Sequence, residues 1–430
     1  MTPSPDPLDA GTPGPQRPRR PDAREPLGPD PLDARAWEVP TSVPVAILTA
    51  IDPILRDSLA GGLMLDVAGT AELRYEIDVD TSVLRRIVVT AHGVLEDEAV
   101  ELEHPCVSCA MREDAIPVLN RLASRADVRA IVLAPPISAE PAVVAGTLAR
   151  AQGRWHLASA IAVLSAEHAI EDLLGEDTLI ERGLQWATED HRSVGEALAA
   201  QIEYADLIVV DREADGVGAD GVGTDGAGAE TRELTSTADC AGRELIEHLR
   251  APEQLLVEPM HALDGRLALS GVLDHEGGTR RRDPRHVEPW GGPIEHGTWT
   301  LDLHSERPFH PGRLLENIEL LGAGRMRGRG RFWVPDRPGT ICQWDGAGGQ
   351  VSIGAVMDSG RDLPTTHLVI TGIDAADMTR VRDAFGRCLL TEEEWADGLE
   401  PWLDAEDHLA PWLGERSAVG FTGGESSRPG

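Results

Sequence analysis

Between Val43 and the apolar run at 207–210, short hydrophobic stretches alternate with segments of helical periodicity, and this alternation limits the fold more than any other feature of the chain. Val43–Thr49 reads as a strand covered on both faces. Residues 85–90 and 99–102 read as further strands. A helix is expected over 112–126, where Ile116, Leu119 and Leu122 recur at helical spacing, and Asp127 leads into a strand at 130–133. The pattern repeats with helix 142–152, strand 160–164, helix 194–204 and strand 207–210. Strands and helices alternating at this spacing predict an α/β fold, a mostly parallel sheet with helices on both faces.

Other stretches break the pattern. Residues 1–40 are dense in Pro, Asp, Arg and Gly and are expected to form a disordered tail. A Gly/Ala/Asp near-repeat at 215–230 reads as a flexible insert within a first domain spanning 41–260. A helix at 241–249 and a strand at 255–257 close that domain, and a Gly/Arg-rich linker is expected over 261–289. Residues 290–400 then read as a small α+β domain: strands at 296–303, 331–334, 340–344 and 368–371, with helices at 311–320 and 376–388. The tail 401–430 contains Trp402 and Trp412 and could fold back as an amphipathic helix.

The chain has 430 residues and a formal charge of −34, and every one of its basic residues is arginine. So negative a chain disfavours DNA, phosphate backbones in general and anionic membranes, and favours basic protein partners. Arg280-Arg281-Arg282 and the arginines from Arg325 to Arg331 are local exceptions, expected as solvated charges ahead of an RNA or ribosome contact. No apolar run approaches the ~20 residues that span a bilayer, and no signal peptide is evident, so a cytoplasmic location is expected.

Of the five cysteines only Cys106 and Cys109 are close in sequence. That spacing points to metal or redox chemistry, or to simple packing of a turn before a helix, where a thiol pKa falls. Two thiolates fill half of a tetrahedral zinc set, so Cys106 and Cys109 would hold zinc weakly, with Glu103 and His104 near enough in sequence to assist. His275, His286, His296, His304 and His310 are a second scattered group, expected as ordinary surface or core histidines.

Several motifs carry a family resemblance. PFHPGRL at 308–314, GRFW at 330–333, LVITGID at 368–374 and the following CLLTEEEW resemble the CobW C-terminal domain in order and spacing. CVSCAMREDAIPVLNRL at 106–122 is similar to the CxCC-plus-helix element of CobW-type P-loop GTPases, with Ser108 at the middle cysteine. QIEYADLIVV at 201–210 is similar to the segment leading into their guanine-recognition motif. The resemblance implies a P-loop-NTPase-like first domain and a small α+β CobW C-terminal domain.

The departures from the family pattern concern the nucleotide. Where the family has GxxxxGK[ST], whose N–H groups and lysine hold phosphates, this chain has Ala50-Ile51-Asp52-Pro53-Ile54-Leu55-Arg56-Asp57-Ser58. Ala134 stands at the acidic position of the second element, although Glu140-Pro141 is kept. NKxD becomes Asp211-Arg212-Glu213-Ala214 unless Asp215 slips into place. With all three elements altered and no lysine in the chain, GTP is not expected as a cofactor and no catalytic residue is assigned.

CVSC together with Ala134-Pro135-Pro136 resembles the zinc-regulated branch whose members recruit a ribosome hibernation factor under zinc limitation. That resemblance implies an adaptor with the hibernation factor and the ribosome as partners. The alternative it leaves is a GTP-dependent zinc metallochaperone.

Overall fold

The computed structural model describes residues 42–81, 83–101, 106–212, 226–358, 364–403 and 405–415. Its first domain is built on an eight-stranded sheet. Strands β1 (Val43–Thr49), β2 (Thr70–Asp78), β3 (Val83–Thr90), β4 (Gly93–Glu101), β5 (Ala130–Ala134), β6 (Trp155–Ser165), β7 (Leu207–Asp211) and β8 (Leu255–Val257) lie in the order β4-β3-β2-β5-β1-β6-β7-β8. Pairings from β2 through β8 are parallel, while β3 and β4 extend the sheet as antiparallel strands. Val45, Ile47, Ile131 and Leu133 at its centre are fully buried, as continuous apolar strands covered on both faces should be. The large mainly parallel sheet matches the expected fold class.

Helices α1 (Pro53–Asp66), α4 (Pro141–Leu148), α5 (Ala169–Leu174), α6 (Val194–Tyr204) and α7 (Gly226–Leu249) cover the sheet. The turn carrying the paired cysteines opens a helical stretch: α2 (Val107–Ala110), a wider π-type turn Met111–Ala115, then α3 (Ile116–Ala123). Val118, Leu119 and Leu122 of α3 face the core. A reciprocal capping box fixes the start of α6: Ser193 Oγ accepts from Glu196 N at 3.0 Å, and Glu196 accepts from Ser193 N at 2.9 Å.

Three elements introduced so far, α1, β2 and α5, have no counterpart among the sequence expectations, nor does the strand Gln350–Asp358 of the second domain. The expected tail 1–40 lies outside the described residues, as do 213–225 of the expected insert, and residues 226–230 open α7. The 261–289 linker is packed helix and turn: α8 (Gly265–Leu269) and α9 (His275–Arg282) lie against the first domain. Arg281 of α9 donates to the backbone carbonyls of Glu203, Tyr204 and Ala205 at 2.8–2.9 Å, satisfying the last carbonyls of α6.

The second domain is a five-stranded antiparallel sheet ordered β12-β11-β10-β13-β9. Its strands are β9 (Trp299–Ser305), β10 (Met326–Phe332), β11 (Thr340–Ala347), β12 (Gln350–Asp358) and β13 (Thr366–Gly372). Helices α10 (Pro311–Gly322) and α11 (Ala375–Cys388) close over the apolar face, where Leu301, Phe309, Phe332, Leu368 and Phe385 pack. Among its described residues the tail forms two one-turn helices, Glu400–Leu403 and Ala410–Leu413, with Trp402 edge-on to His310; residues beyond 415 lie outside the described residues.

The opposite face of this sheet corrects the reading of the arginines. Arg327 and Arg329 are 4% and 9% exposed. Arg327 lies between Glu203 of α6 and Asp345 of β11, and Arg329 donates to the carbonyls of Arg281 and Glu288 beneath the Trp290 ring. Arg331 reaches the carbonyls of Pro284 and Arg285. Alternation along β10 sends these three side chains to one face, and that face meets the first domain. The 280–282 run is corrected in part, since Arg281 is buried and Arg282 pairs with Glu140 at 2.7 Å, while Arg280, like Arg325 at the head of the second run, is exposed as expected. Among the described residues, no helix is long and apolar enough to cross a membrane.

Candidate functional site

In an open sheet of this kind, ligands settle at the carboxyl ends of the central strands. Here that place is formed by the turns after β1, β5 and β7. After β1, Ala50 and Ile51 are buried and Asp52 caps α1: its carboxylate accepts from Ile54 N at 2.6 Å and Leu55 N at 3.3 Å. Pro53, with no N–H, occupies the first helical position. The donors that a helix start offers to an anion are therefore taken by the chain's own carboxylate.

One turn further, the Arg56 side chain is buried and donates to Asp57 at 2.9 Å, with Glu76 at 3.8 Å. Asp57 also bonds Arg74, whose guanidinium lies 3.8 Å from Glu72 and 3.7 Å from Glu76. Burial pushes the Glu72 carboxyl above its ordinary range, and Arg74 opposes the shift. Arg56 and Asp57 thus face an ion-pair network shared with β2.

After β5, Ala134 is buried and Ser138 adopts φ 65°, its N–H donating to the Ala50 carbonyl at 3.4 Å and its hydroxyl to Leu184 O at 2.7 Å. Gln201 of α6 also donates to Ala50 O, at 3.3 Å. Glu140 is clamped by Arg192 at 3.1 Å and Arg282 at 2.7 Å. After β7, the Asp211 carbonyl accepts from Ala166 N at 2.9 Å and Arg212 approaches Cys240 Sγ at 3.8 Å. Glu213, Ala214 and Asp215 lie outside the described residues.

Cys106 and Cys109 flank the start of α2. Cys106 Sγ accepts from Cys109 N at 3.3 Å and lies 3.2 Å from Ser108 Oγ, while Arg112 approaches Cys109 Sγ at 3.7 Å. Burial raises the Cys106 thiol pKa, but hydrogen bonds with Cys109 and Ser108 outweigh it and hold the thiol below its ordinary range; the bond with Cys106 pushes Cys109 up. Two thiols can supply two of the four ligands of a tetrahedral thiolate site. Glu103 and His104 lie outside the described residues. Among the described residues, no three His, Cys, Asp or Glu side chains are already gathered as a metal-ligand set. Cys342 and Cys388 are buried elsewhere, their thiols pushed up to about 12 by burial.

The histidines are dispersed. His275 bonds Tyr204 at 2.6 Å, His296 lies 3.3 Å from Glu244, His286 is exposed in a short turn, and His310 caps α10 by accepting from Arg313 N at 3.2 Å. His304 has a neighbour that no sequence spacing pairs with it, His367.

The CobW/HypB/UreG nucleotide-binding domain matches residues 72–233, and the cobalamin synthesis protein cobW C-terminal domain matches residues 298–389. The chain belongs to the CobW family. Among relatives of this CobW protein, a zinc chaperone of Mycobacterium tuberculosis is 25% identical over 406 residues, covering 82% of this chain and 89% of that one. Zinc-regulated GTPase metalloprotein activator 1 of Dictyostelium discoideum is 21% identical over 374 residues, covering 76% and 74%. Among solved structures, the Zn(II)-bound YjiA GTPase from E. coli is similar at 14% identity and a TM-score of 0.35, covering 81% of this chain and 99% of that one.

The CobW C-terminal motifs now have physical roles. Arg313 of the HPGR turn forks onto Glu394 of the TEEE turn at 2.6 and 2.9 Å and donates to the carbonyls of Arg387 and Leu389. Gly330 of GRFW lies at φ 144°, where a Cβ would stand 2.1 Å from the His367 carbonyl oxygen.

Proposed function

We propose that this CobW-family protein is a zinc-responsive adaptor that works without a nucleotide cycle. The observation that carries the reading is Asp52: its carboxylate occupies the α1 N–H groups where a phosphate would be cradled. The residues present do not fit a nucleoside triphosphate. There is no lysine to reach its phosphates, Arg56 is turned into ion pairs, and Ala134 offers no carboxylate for Mg²⁺. The formal charge of −34 suits a basic protein partner. With Arg327 and Arg329 buried, the proposed contact with the ribosome runs through that partner, a hibernation factor, and not through these two arginines.

The relatives named zinc chaperone and zinc-regulated GTPase activator favour a second reading, a GTP-dependent zinc metallochaperone. Isothermal titration of the full chain with GTP·Mg²⁺ separates the two. The adaptor reading expects no saturable binding, and affinity tighter than ~10 μM, about −7 kcal/mol, overturns it. Co-sedimentation tests the partner: with the hibernation factor present and zinc depleted, failure to pellet with ribosomes at low salt sinks the adaptor role.

A further inference from the structure

Asp302 and His304 stand two residues apart on β9, so both project from the same face of the sheet. In the antiparallel register His304 lies directly opposite His367 of β13, which brings three metal-capable side chains onto one patch near the end of the strand pair. His367 Nε2 is 2.6 Å from Asp302 Oδ1, and the His304 and His367 rings lie 5.4 Å apart, centre to centre, at 87°.

We propose that Asp302, His304 and His367 form a second site for a zinc-class divalent cation, on the C-terminal domain and separate from Cys106 and Cys109. Two imidazoles bound to one tetrahedral ion through nitrogens at ~2.0–2.1 Å have ring centres about 5 Å apart, and the observed spacing is close to that. The three side chains are not yet a ligand set, because Asp302 bonds His367 directly. The cation takes the place of the shared proton at Nε2: a neutral His367 keeps its one ring proton by moving it to Nδ1, and only a protonated His367 releases a proton to solvent. Two ligand atoms on a tetrahedral zinc stand about 3 Å apart, so Asp302 need withdraw only slightly.

Access and charge also suit the site. The Asp302 side chain is 51% exposed and His304 is exposed, so an ion can arrive from solvent and a fourth coordination position stays open. Burial lowers the His367 pKa, with Arg331 and His304 adding to the shift and Asp302 opposing it, which favours the neutral imidazole that binds metal. Arg331, opposite His367 on β10, is a nearby cation that acts against the site. Its guanidinium is turned away to the Thr365 hydroxyl and the carbonyls of Pro284 and Arg285. Two imidazoles and one carboxylate select zinc or cobalt(II) over magnesium or calcium, and an exposed set of three suits passing a metal on more than locking it into the fold.

The test is a cobalt(II) titration followed by visible absorption, with zinc calorimetry in parallel, on the full chain and two variants. Cys106→Ser/Cys109→Ser should lose thiolate-to-cobalt charge transfer yet keep one bound equivalent. His304→Ala/His367→Ala should keep the charge-transfer band and lose that equivalent, with affinity falling at least tenfold. Asp302→Asn, a change at a half-exposed position, should weaken it without altering the unfolding midpoint. The site is overturned if the histidine variant binds as many equivalents as wild type with unchanged affinity, or if the cysteine variant binds none. Neither result depends on whether GTP binds.

Discussion

The guanidinium of Arg327 reaches from the second domain to the Glu203 carboxylate of the first, 2.8 Å away, and each side chain is only 4% exposed. Asp345 is a third member of the group. Removing one partner of a buried pair leaves an uncompensated charge, which costs about 3–5 kcal/mol. Arg327→Met should therefore lower the unfolding free energy by that amount in urea, and adding Glu203→Gln should recover part of it. A loss below about 1 kcal/mol would mean that the arginine is solvated, as the sequence suggested.

Asp52 makes a smaller and more local contribution. Its carboxylate caps α1 through Ile54 N and Leu55 N, and replacing such a cap by Ala costs about 1 kcal/mol. Asp52→Ala should show that loss and still fail to bind GTP·Mg²⁺, because Pro53 and the missing lysine remain. Micromolar GTP binding by this variant would identify the carboxylate as the sole obstacle.

Gly330 is held by its backbone. At φ 144°, a Cβ would stand 2.1 Å from the His367 carbonyl oxygen and 3.0 Å from Leu368 Cα, so no other residue fits without moving β13. Gly330→Ala should cost on the order of 3 kcal/mol in thermal or urea unfolding. Gly354→Ala, on β12 with nothing within 4 Å of its Cβ, is the control and should change stability by less than about 1 kcal/mol.

How far the sequence could be read follows from which signals are local. The apolar runs of β1, β5 and β7 announce themselves, and so do the helical spacing of Ile116, Leu119 and Leu122 and the Cys106–Cys109 turn. Helix α1 is hidden behind the lost phosphate loop, which dominates that stretch, although Asp52-Pro53 is a good helix start, a capping side chain followed by proline at the first position. Strand β2 alternates Leu73 and Tyr75 with Glu72, Arg74 and Glu76, and Arg74 and Glu76 are paired by Asp57 and Arg56 of α1 and by Arg85 of β3, which no local pattern reveals. The arginines of β10 read as solvated because the acidic and carbonyl partners that bury them come from Glu203, Arg281 and Glu288, far off in the chain. The His304–His367 pairing is likewise set by strand register alone.

Asp206 gives the fold a specific pH dependence. It lies between α6 and β7, its N–H bonded to Ala160 O at 2.9 Å, and burial raises its carboxyl pKa from 3.8 to about 6. Backbone hydrogen bonds and Arg281, 3.9 Å away, only partly offset the burial, while Asp274 adds repulsion. A carboxyl whose folded pKa is raised favours folding in its protonated form. The native state therefore carries no penalty from this group below pH 3.8, acquires it as pH rises, and bears it fully above about pH 6. A shift of this size corresponds to at most about 3 kcal/mol, reduced by the partial exposure of the side chain. Asp206→Asn should accordingly be more stable than wild type by about 1–2 kcal/mol at pH 8, with the two unfolding curves converging as pH falls below 4. An asparagine variant that is less stable at pH 8 would show that the Arg281 contact outweighs the cost of burying the charge.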